Sequence, residues 1–174
     1  MFARSGVWAL LSAACAAAAI AWCARGGVAA GPPHVEASSQ IAAGRYVVQS
    51  AGCNDCHTPG WAVSNGTLPE SAWLTGSSVG SRGPWGTAYP PNLRLFAHAL
   101  PVTAWVQLFR TSNGPGPMPW WNFSHGKMSD RDLAAIHAFI RHLGPAGTAA
   151  PIDLPPNVEP STAYTWAVPP AGRH

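Results

Sequence analysis

The sequence predicts a small all-α domain with long loops and a Pro-rich C-terminal tail. Helices are the only regular elements that its pattern indicates, and they lie near residues 38–53, 103–109 and 128–144. The stretches between them are rich in turn-forming residues, and the chain contains 18 Gly and 18 Pro. Because these two residues interrupt regular structure, we expect loops to connect the helices.

The first 30 residues have the pattern of a cleaved signal peptide. Arg4 precedes an apolar run from Val7 to Cys23, and Val28-Ala29-Ala30 offers the small residues that a signal peptidase reads. An uncleaved membrane anchor is the alternative, because the run is at the short limit of a membrane span. Alanine makes up eight of its 17 residues and is only weakly apolar, which favours cleavage near Gly31.

The rest of the chain is long enough for one compact domain. We expect that domain over residues 31–146 and an extended surface tail over residues 147–174. The formal net charge is +3 and only 10% of the residues are charged. Such a surface lacks the strong field that a nucleic-acid partner would require, so none is expected.

Capping residues and apolar faces support the predicted helices. Ser38 or Ser39 can cap the first helix. Its apolar face consists of Ile41, Gly44, Val47 and Val48. A short segment from Thr103 places Trp105, Leu108 and Phe109 near helical spacing.

The last helix has the clearest start and stop signals. Met128 can act as a hydrophobic staple, Ser129 as the N-cap, and an acidic first turn follows. An apolar stripe then runs along one face, and Gly144-Pro145 ends the helix. The stripe consists of Leu133, Ile136, Ile140 and Leu143.

Residues 53–57 read Cys-Asn-Asp-Cys-His, the order of a c-type haem attachment site. Each thiol can add across one haem vinyl group, and the imidazole then becomes the proximal iron ligand. A zinc site would need a second pair of ligands, and no Cys follows Cys56. A dithiol redox site would need strands and helices alternating around it, whereas these flanks are Gly-rich. The motif predicts one covalent haem c, attached through Cys53 and Cys56 and ligated by His57.

Four segments together resemble a bacterial class I cytochrome c domain. They are GRYVVQSAGCNDCHT, GPWGTAYPPNLRL, PMPWWNF and MSDRDLAAIHAFIRHLGP, and they cover about residues 41–144. The chain is most similar to monohaem domains related to the cytochrome subunits of quinoprotein alcohol dehydrogenases, although those subunits carry several haems. The resemblance implies a small all-α fold whose first and last helices cross near Gly44. It also implies that Met118 is the distal iron ligand.

The choice of distal ligand can also be argued from the residues. Met118 lies between Pro117 and Pro119, which stiffen the loop, and a ligand must be held at one distance. Met128 is already explained as a staple. His125 is the chief rival, and a bis-histidine iron would have a lower potential.

Several neighbouring side chains are candidates for contact with the haem. Tyr89, Asn92 and Arg94 can hydrogen-bond a propionate, or they can form a turn capped by Asn beside an ordinary surface Arg. Trp120 and Trp121 can seal the haem crevice or face a partner, and we expect at least one of them to pack. The second nitrogen of His57 should donate to a nearby carbonyl, with Pro59 as the expected acceptor.

With both axial positions filled, the iron has no room for a substrate. The sequence therefore predicts a periplasmic electron carrier and no enzyme activity, since haem attachment in bacteria occurs outside the cytoplasmic membrane. The expected partners are redox proteins, with a quinoprotein dehydrogenase as donor and a cytochrome or oxidase of a respiratory chain as acceptor. Two alternatives are a haem subunit of a respiratory or dehydrogenase complex, and a haem enzyme or gas sensor with an open distal site. Membrane association is expected only if the leader stays uncleaved.

Overall fold

Six α-helices and three short strands form the regular structure of residues 32–114 and 116–168, the part of the chain that this computed structural model describes. The helices are α1 (Gln40–Ser50), α2 (Cys53–His57), α3 (Leu93–Ala99), α4 (Val102–Thr111), α5 (Trp121–Ser124) and α6 (Asp130–Leu143). The strands are β1 (Gly80–Gly83), β2 (Gly86–Ala88) and β3 (Tyr164–Trp166), and one 3-10 turn spans Glu70–Ala72. The predicted leader lies outside the described residues. Within them, no helix combines the length and the apolarity needed to cross a membrane.

The capping residues of the first and last helices are confirmed. Ser39 caps α1, where its Oγ accepts a hydrogen bond from the Ala42 amide at 3.1 Å. Ser129 caps α6 in the same way, and its Oγ accepts from the Asp132 amide at 3.0 Å. Gly144 ends α6 with a φ of 75°, a conformation that glycine adopts without strain.

The predicted all-α fold class is wrong, because the chain also contains a mixed three-stranded sheet in the order β2-β1-β3. Strands β1 and β2 form an antiparallel hairpin in which Gly83 pairs with Gly86. Strand β3 lies parallel to β1, with Tyr164 opposite Gly80. The loops expected between the helices therefore include two strands, and the tail expected to be extended supplies the third.

The sequence did not reveal these strands because they are short and their stability depends on distant chain. Strand β1 reads Gly-Ser-Arg-Gly, which has neither the alternation nor the β-branched residues that indicate a strand. Its neighbour β3 lies about 80 residues further along the chain. A second contact holds the tail: Thr87 and Leu154 exchange two backbone hydrogen bonds of 2.8 and 2.9 Å. Such long-range pairing leaves no local signal in the sequence.

Helices α1 and α6 pack closely at Gly44, as the resemblance implies. A Cβ atom on Gly44 would lie 2.0 Å from the Ala135 carbonyl oxygen, so only glycine fits there. Helix α3, which we did not predict, begins after the N-cap Asn92 and also packs against α6. These helices enclose a core that includes fully buried Val48, Leu74, Trp105, Leu133, Phe139 and Ile140. The candidate haem motif directly follows α1 and borders this core.

Candidate haem attachment site

The Cys-Asn-Asp-Cys-His motif forms the short helix α2, which begins directly after a sharp turn. Gly52, with a φ of 69°, provides the left-handed residue that separates α1 from α2. Thr58 is extended and ends the helix. The two thiols and the imidazole therefore stand on one turn of helix, anchored to the end of α1.

The two cysteines are free thiols in different surroundings. Cys53 is partly buried and packs against the core, whereas Cys56 is exposed. Burial, together with the neighbouring Asp55 carboxylate, raises the pKa of the Cys53 thiol to about 12. Burial and Asp55 also raise the pKa of Cys56. Both groups are therefore protonated at neutral pH, and no disulfide occupies them.

His57 is buried and its ring is held by a backbone carbonyl. Its Nδ1 lies 2.9 Å from the Pro91 carbonyl oxygen and donates a hydrogen bond to it. The expected acceptor, Pro59, is thus wrong, since the chain folds back and brings a carbonyl from 34 residues away. Burial lowers the pKa of His57, and the hydrogen bond to Pro91 partly offsets this effect. A neutral imidazole that donates from Nδ1 keeps its Nε2 lone pair for a metal.

Met118 and Met128 are partly buried, whereas His125 is exposed. Met118 is partly buried and packs against the core, as Cys53 does. His125 is exposed at the end of α5. Met128 packs against the core beside the N-cap of α6, the place expected of a staple residue. Compared with its chief rival His125, the predicted ligand Met118 therefore has the environment that suits an apolar cofactor.

The two tryptophans after Met118 have separate surroundings. Trp120 is partly buried and its ring lies 5.9 Å from that of Phe109, which confirms that at least one of the pair packs. Trp121 is 55% exposed and begins α5. Its predicted contact with the haem remains a prediction.

The three candidate propionate ligands already have partners within the protein. Asn92 accepts from the Leu95 amide and donates to the carbonyl oxygens of Ala146 and Thr148 at 2.8 and 3.0 Å. The hydroxyl of Tyr89 lies 2.7 Å from Thr162 Oγ1.

Arg94 donates to carbonyl oxygens of Ser71, Leu143 and Gly144. It is buried, so the alternative of a surface Arg is wrong. Its guanidinium ties the C-terminal end of α6 to α3. Asn92 is confirmed as a cap, and propionate binding by this group remains a prediction.

The residues around the motif fit a covalent haem. Two free thiols with two residues between them match the two vinyl groups, and one imidazole nitrogen is free while the other is held. Cys53 and Met118 pack against the same apolar core. Among the described residues, no group of three or more His, Cys, Asp or Glu side chains converges to hold a different metal.

Comparison with known proteins finds no counterpart: no family model, no curated protein and no solved structure matches the chain.

A buried polar network beside the motif escaped the sequence analysis. Asn54 is only 1% exposed, and its Oδ1 accepts from the Thr58 hydroxyl at 2.7 Å. Thr58 Oγ1 in turn accepts from the Leu74 amide at 2.7 Å. The i, i+4 spacing of Asn54 and Thr58 was a usable signal, because residues four apart share one helix face. The contact with Leu74 depends on the fold, and it leaves no local signal in the sequence.

Proposed function

We propose that this protein is a monohaem c-type cytochrome that carries single electrons between larger redox proteins in the periplasm. The observation that carries the proposal is the Cys-Asn-Asp-Cys-His motif on helix α2, with His57 held through Nδ1 by the Pro91 carbonyl. A structural histidine needs no free second nitrogen, whereas a metal ligand does. The haem iron, when bound, supplies the one-electron redox chemistry.

The residues of the motif have separate tasks. Cys53 and Cys56 would hold the porphyrin by two thioether bonds when haem is attached. His57 would present Nε2 to the iron when haem is bound, and the Pro91 carbonyl fixes the orientation and tautomer of its ring. Burial keeps this imidazole neutral, as a ligand must be.

Met118 is proposed as the sixth ligand. Its thioether sulfur would favour ferrous iron and would close the position at which a substrate or gas could bind. Its packing against the core supports this role, and the exposure of His125 argues against the rival assignment. A sixth position occupied by Met118 would favour electron transfer over a haem enzyme or a gas sensor.

One alternative is a haem subunit of a larger complex, in which the tail over residues 147–174 would be the segment that binds the other subunits. The described part of the tail is engaged by the domain itself, through strand β3 and through the bridge between Thr87 and Leu154. A diffusible or tethered carrier remains the proposal. Its donor would be a quinoprotein dehydrogenase and its acceptor a cytochrome or oxidase.

The test is expression in a bacterium that matures c-type cytochromes, followed by acid-acetone extraction. We expect the colour to stay with the polypeptide and the mass to increase by one haem. A double variant, Cys53→Ala with Cys56→Ala, should lose both signals, while Cys23→Ala in the leader serves as the matched control. Haem that moves into the solvent from the parent protein would refute covalent attachment.

The location is tested on the same preparation. N-terminal sequencing of the periplasmic fraction should begin near Gly31. Recovery of the protein in the membrane fraction with Arg4 retained would instead support an anchor.

A further inference from the structure

We infer that Asn54 and Thr58 are positioning residues for His57: through the loop of Leu74 to Gly76, they fix the imidazole against the Pro91 carbonyl. This inference rests on the proposed haem function and adds to it two residues that neither bind the haem nor touch the iron. Four steps connect them to His57.

The first step is the hydrogen bond between Asn54 and Thr58 within the motif helix. Thr58 Oγ1 accepts from the Leu74 amide, so its own proton is free for Asn54 Oδ1. The two bonds are each 2.7 Å long and are buried. A buried hydroxyl that both donates and accepts is held in one orientation, so it fixes the end of α2 relative to Leu74.

The second step is the rare backbone conformation of Leu74, which its surroundings hold in place. Its φ is 62°, in the left-handed region that a leucine rarely adopts. Its side chain is fully buried in the core, so the residue cannot relax by turning outwards. A strained backbone persists only where its surroundings hold it, and the Thr58 hydroxyl supplies one of those bonds.

The third step is the contact of the loop with the backbone of His57 and with the chain next to Pro91. On one side, the Gly76 amide donates to the His57 carbonyl at 2.8 Å. On the other side, the amide of Ser77, the residue after this loop, donates to the Pro90 carbonyl at 3.0 Å, and the Arg94 amide donates to the Leu74 carbonyl at 3.3 Å. The loop therefore lies between the motif helix and the chain that carries Pro91.

The fourth step is the close approach at Gly76. A Cβ atom there would lie 2.7 Å from the Asn92 amide nitrogen, so the loop touches the residue after Pro91 without slack. Any movement of Leu74 to Gly76 changes the distance from His57 Nδ1 to the Pro91 oxygen. That hydrogen bond gives the imidazole partial anionic character, which stabilises ferric iron.

The Nδ2 atom of Asn54 is buried and has no hydrogen-bond partner in the structure. A buried donor without an acceptor is costly, and an apolar residue at this position would avoid that cost. The role of Asn54 therefore lies in its Oδ1, the atom that accepts from the Thr58 hydroxyl and orients it.

The test uses the haem-loaded protein with Thr58→Val, which removes the hydroxyl and keeps the shape. Thr67→Val is the matched control, since Thr67 Oγ1 makes an exposed hydrogen bond to Ser64 outside the network. In Thr58→Val we expect a higher reduction potential. We also expect the His57 Nδ1 proton to exchange with solvent at least about tenfold faster, as measured by NMR on the ferrous protein. Thr58→Ser should restore both values, and Thr67→Val should leave them unchanged.

Thr58→Val with parent values for the potential and the Nδ1 proton would overturn the inference, even if the variant were less stable. If Thr58→Val does not fold, Asn54→Leu decides by the same two measurements, with the same expected direction. Loss of the haem from the parent protein would overturn the proposed function as well, whereas a loaded parent with unresponsive variants overturns only the positioning role.

Discussion

The Nδ1 atom of His57 lies 2.9 Å from the carbonyl oxygen of Pro91, although the two residues are 34 positions apart. This hydrogen bond connects the motif helix to the chain that leads into α3. Asn92, the next residue, caps α3 and also holds the carbonyl oxygens of Ala146 and Thr148. The orientation of the imidazole therefore depends on a segment that is fixed on both sides.

Asn92→Ala should destabilise the protein by about 2 kcal/mol. It removes a helix cap, worth about 1 kcal/mol, and leaves two carbonyl oxygens without their donor. Chemical denaturation of the haem-loaded protein measures the change. Asn113→Ala, in an exposed loop, is the control and should change stability by less than about 0.5 kcal/mol. Equal effects of the two substitutions would contradict the capping role.

Gly44→Ala should destabilise the protein by about 3 kcal/mol or prevent folding. The added methyl group would lie 2.0 Å from the Ala135 carbonyl oxygen, so α1 and α6 would have to separate. Gly114→Ala is the matched control, because a Cβ there meets no atom within 4 Å. The melting temperatures of the two variants provide the comparison. A Gly44→Ala protein as stable as the parent would show that the helices can shift without cost.

How much could be predicted depended on how local each signal was. The helices that start at Ser39 and Ser129 and the thiols of the motif have their determinants within a few residues, and they were found. The sheet was missed because β1 is stable only beside a strand from the tail. We expected the Pro59 carbonyl to accept from His57 because a sequence reveals only which residues are close along the chain. The fold instead places Pro91 there.

Arg82→Leu should release the tail from the domain. Arg82 is 7% exposed, and its guanidinium donates to Thr87 Oγ1 and the Val158 carbonyl and pairs with Glu159 at 2.9 Å. It also lies over the ring of Trp166, at 5.4 Å. Because these groups sit on β2 and on the tail, their loss should cost about 2–3 kcal/mol and speed proteolysis within residues 155–168.

Arg131→Leu is the control for this prediction. Its charged partner Glu36 lies near the start of the described residues and not in the tail, and the ion pair is exposed. Cleavage of the tail should then proceed at the parent rate. If both variants are cleaved equally fast, Arg82 does not hold the tail.

In the haem-free protein at pH 8, Cys56 should react with iodoacetamide at least about tenfold faster than Cys53. The thiolate is the reactive form, and burial raises the pKa of Cys53 to about 12 while leaving Cys56 exposed. Peptide mass spectrometry after timed alkylation measures both rates. Urea should make the two rates similar, because unfolding removes the burial. Equal rates in the native protein would mean that Cys53 is open to solvent.

The last prediction concerns Met118 and Met128. Met118→Ala should open the sixth coordination position, lower the reduction potential and allow carbon monoxide to bind the ferrous haem, because the alanine side chain offers no sulfur to the iron. The ferric spectrum should lose the weak near-infrared band typical of methionine ligation. A redox titration and the two spectra measure these effects.

Met128→Leu is the matched control, since it removes a thioether from a residue that packs beside the N-cap of α6. It keeps volume and apolarity, so it should cost about 1 kcal/mol or less and leave the potential and the near-infrared band unchanged. His125→Ala should likewise leave the spectrum intact, because His125 is exposed at the end of α5. If instead the band persists in Met118→Ala and disappears in Met128→Leu, then Met128 is the ligand. A parent protein without the band and a His125→Ala variant that binds carbon monoxide would indicate bis-histidine ligation.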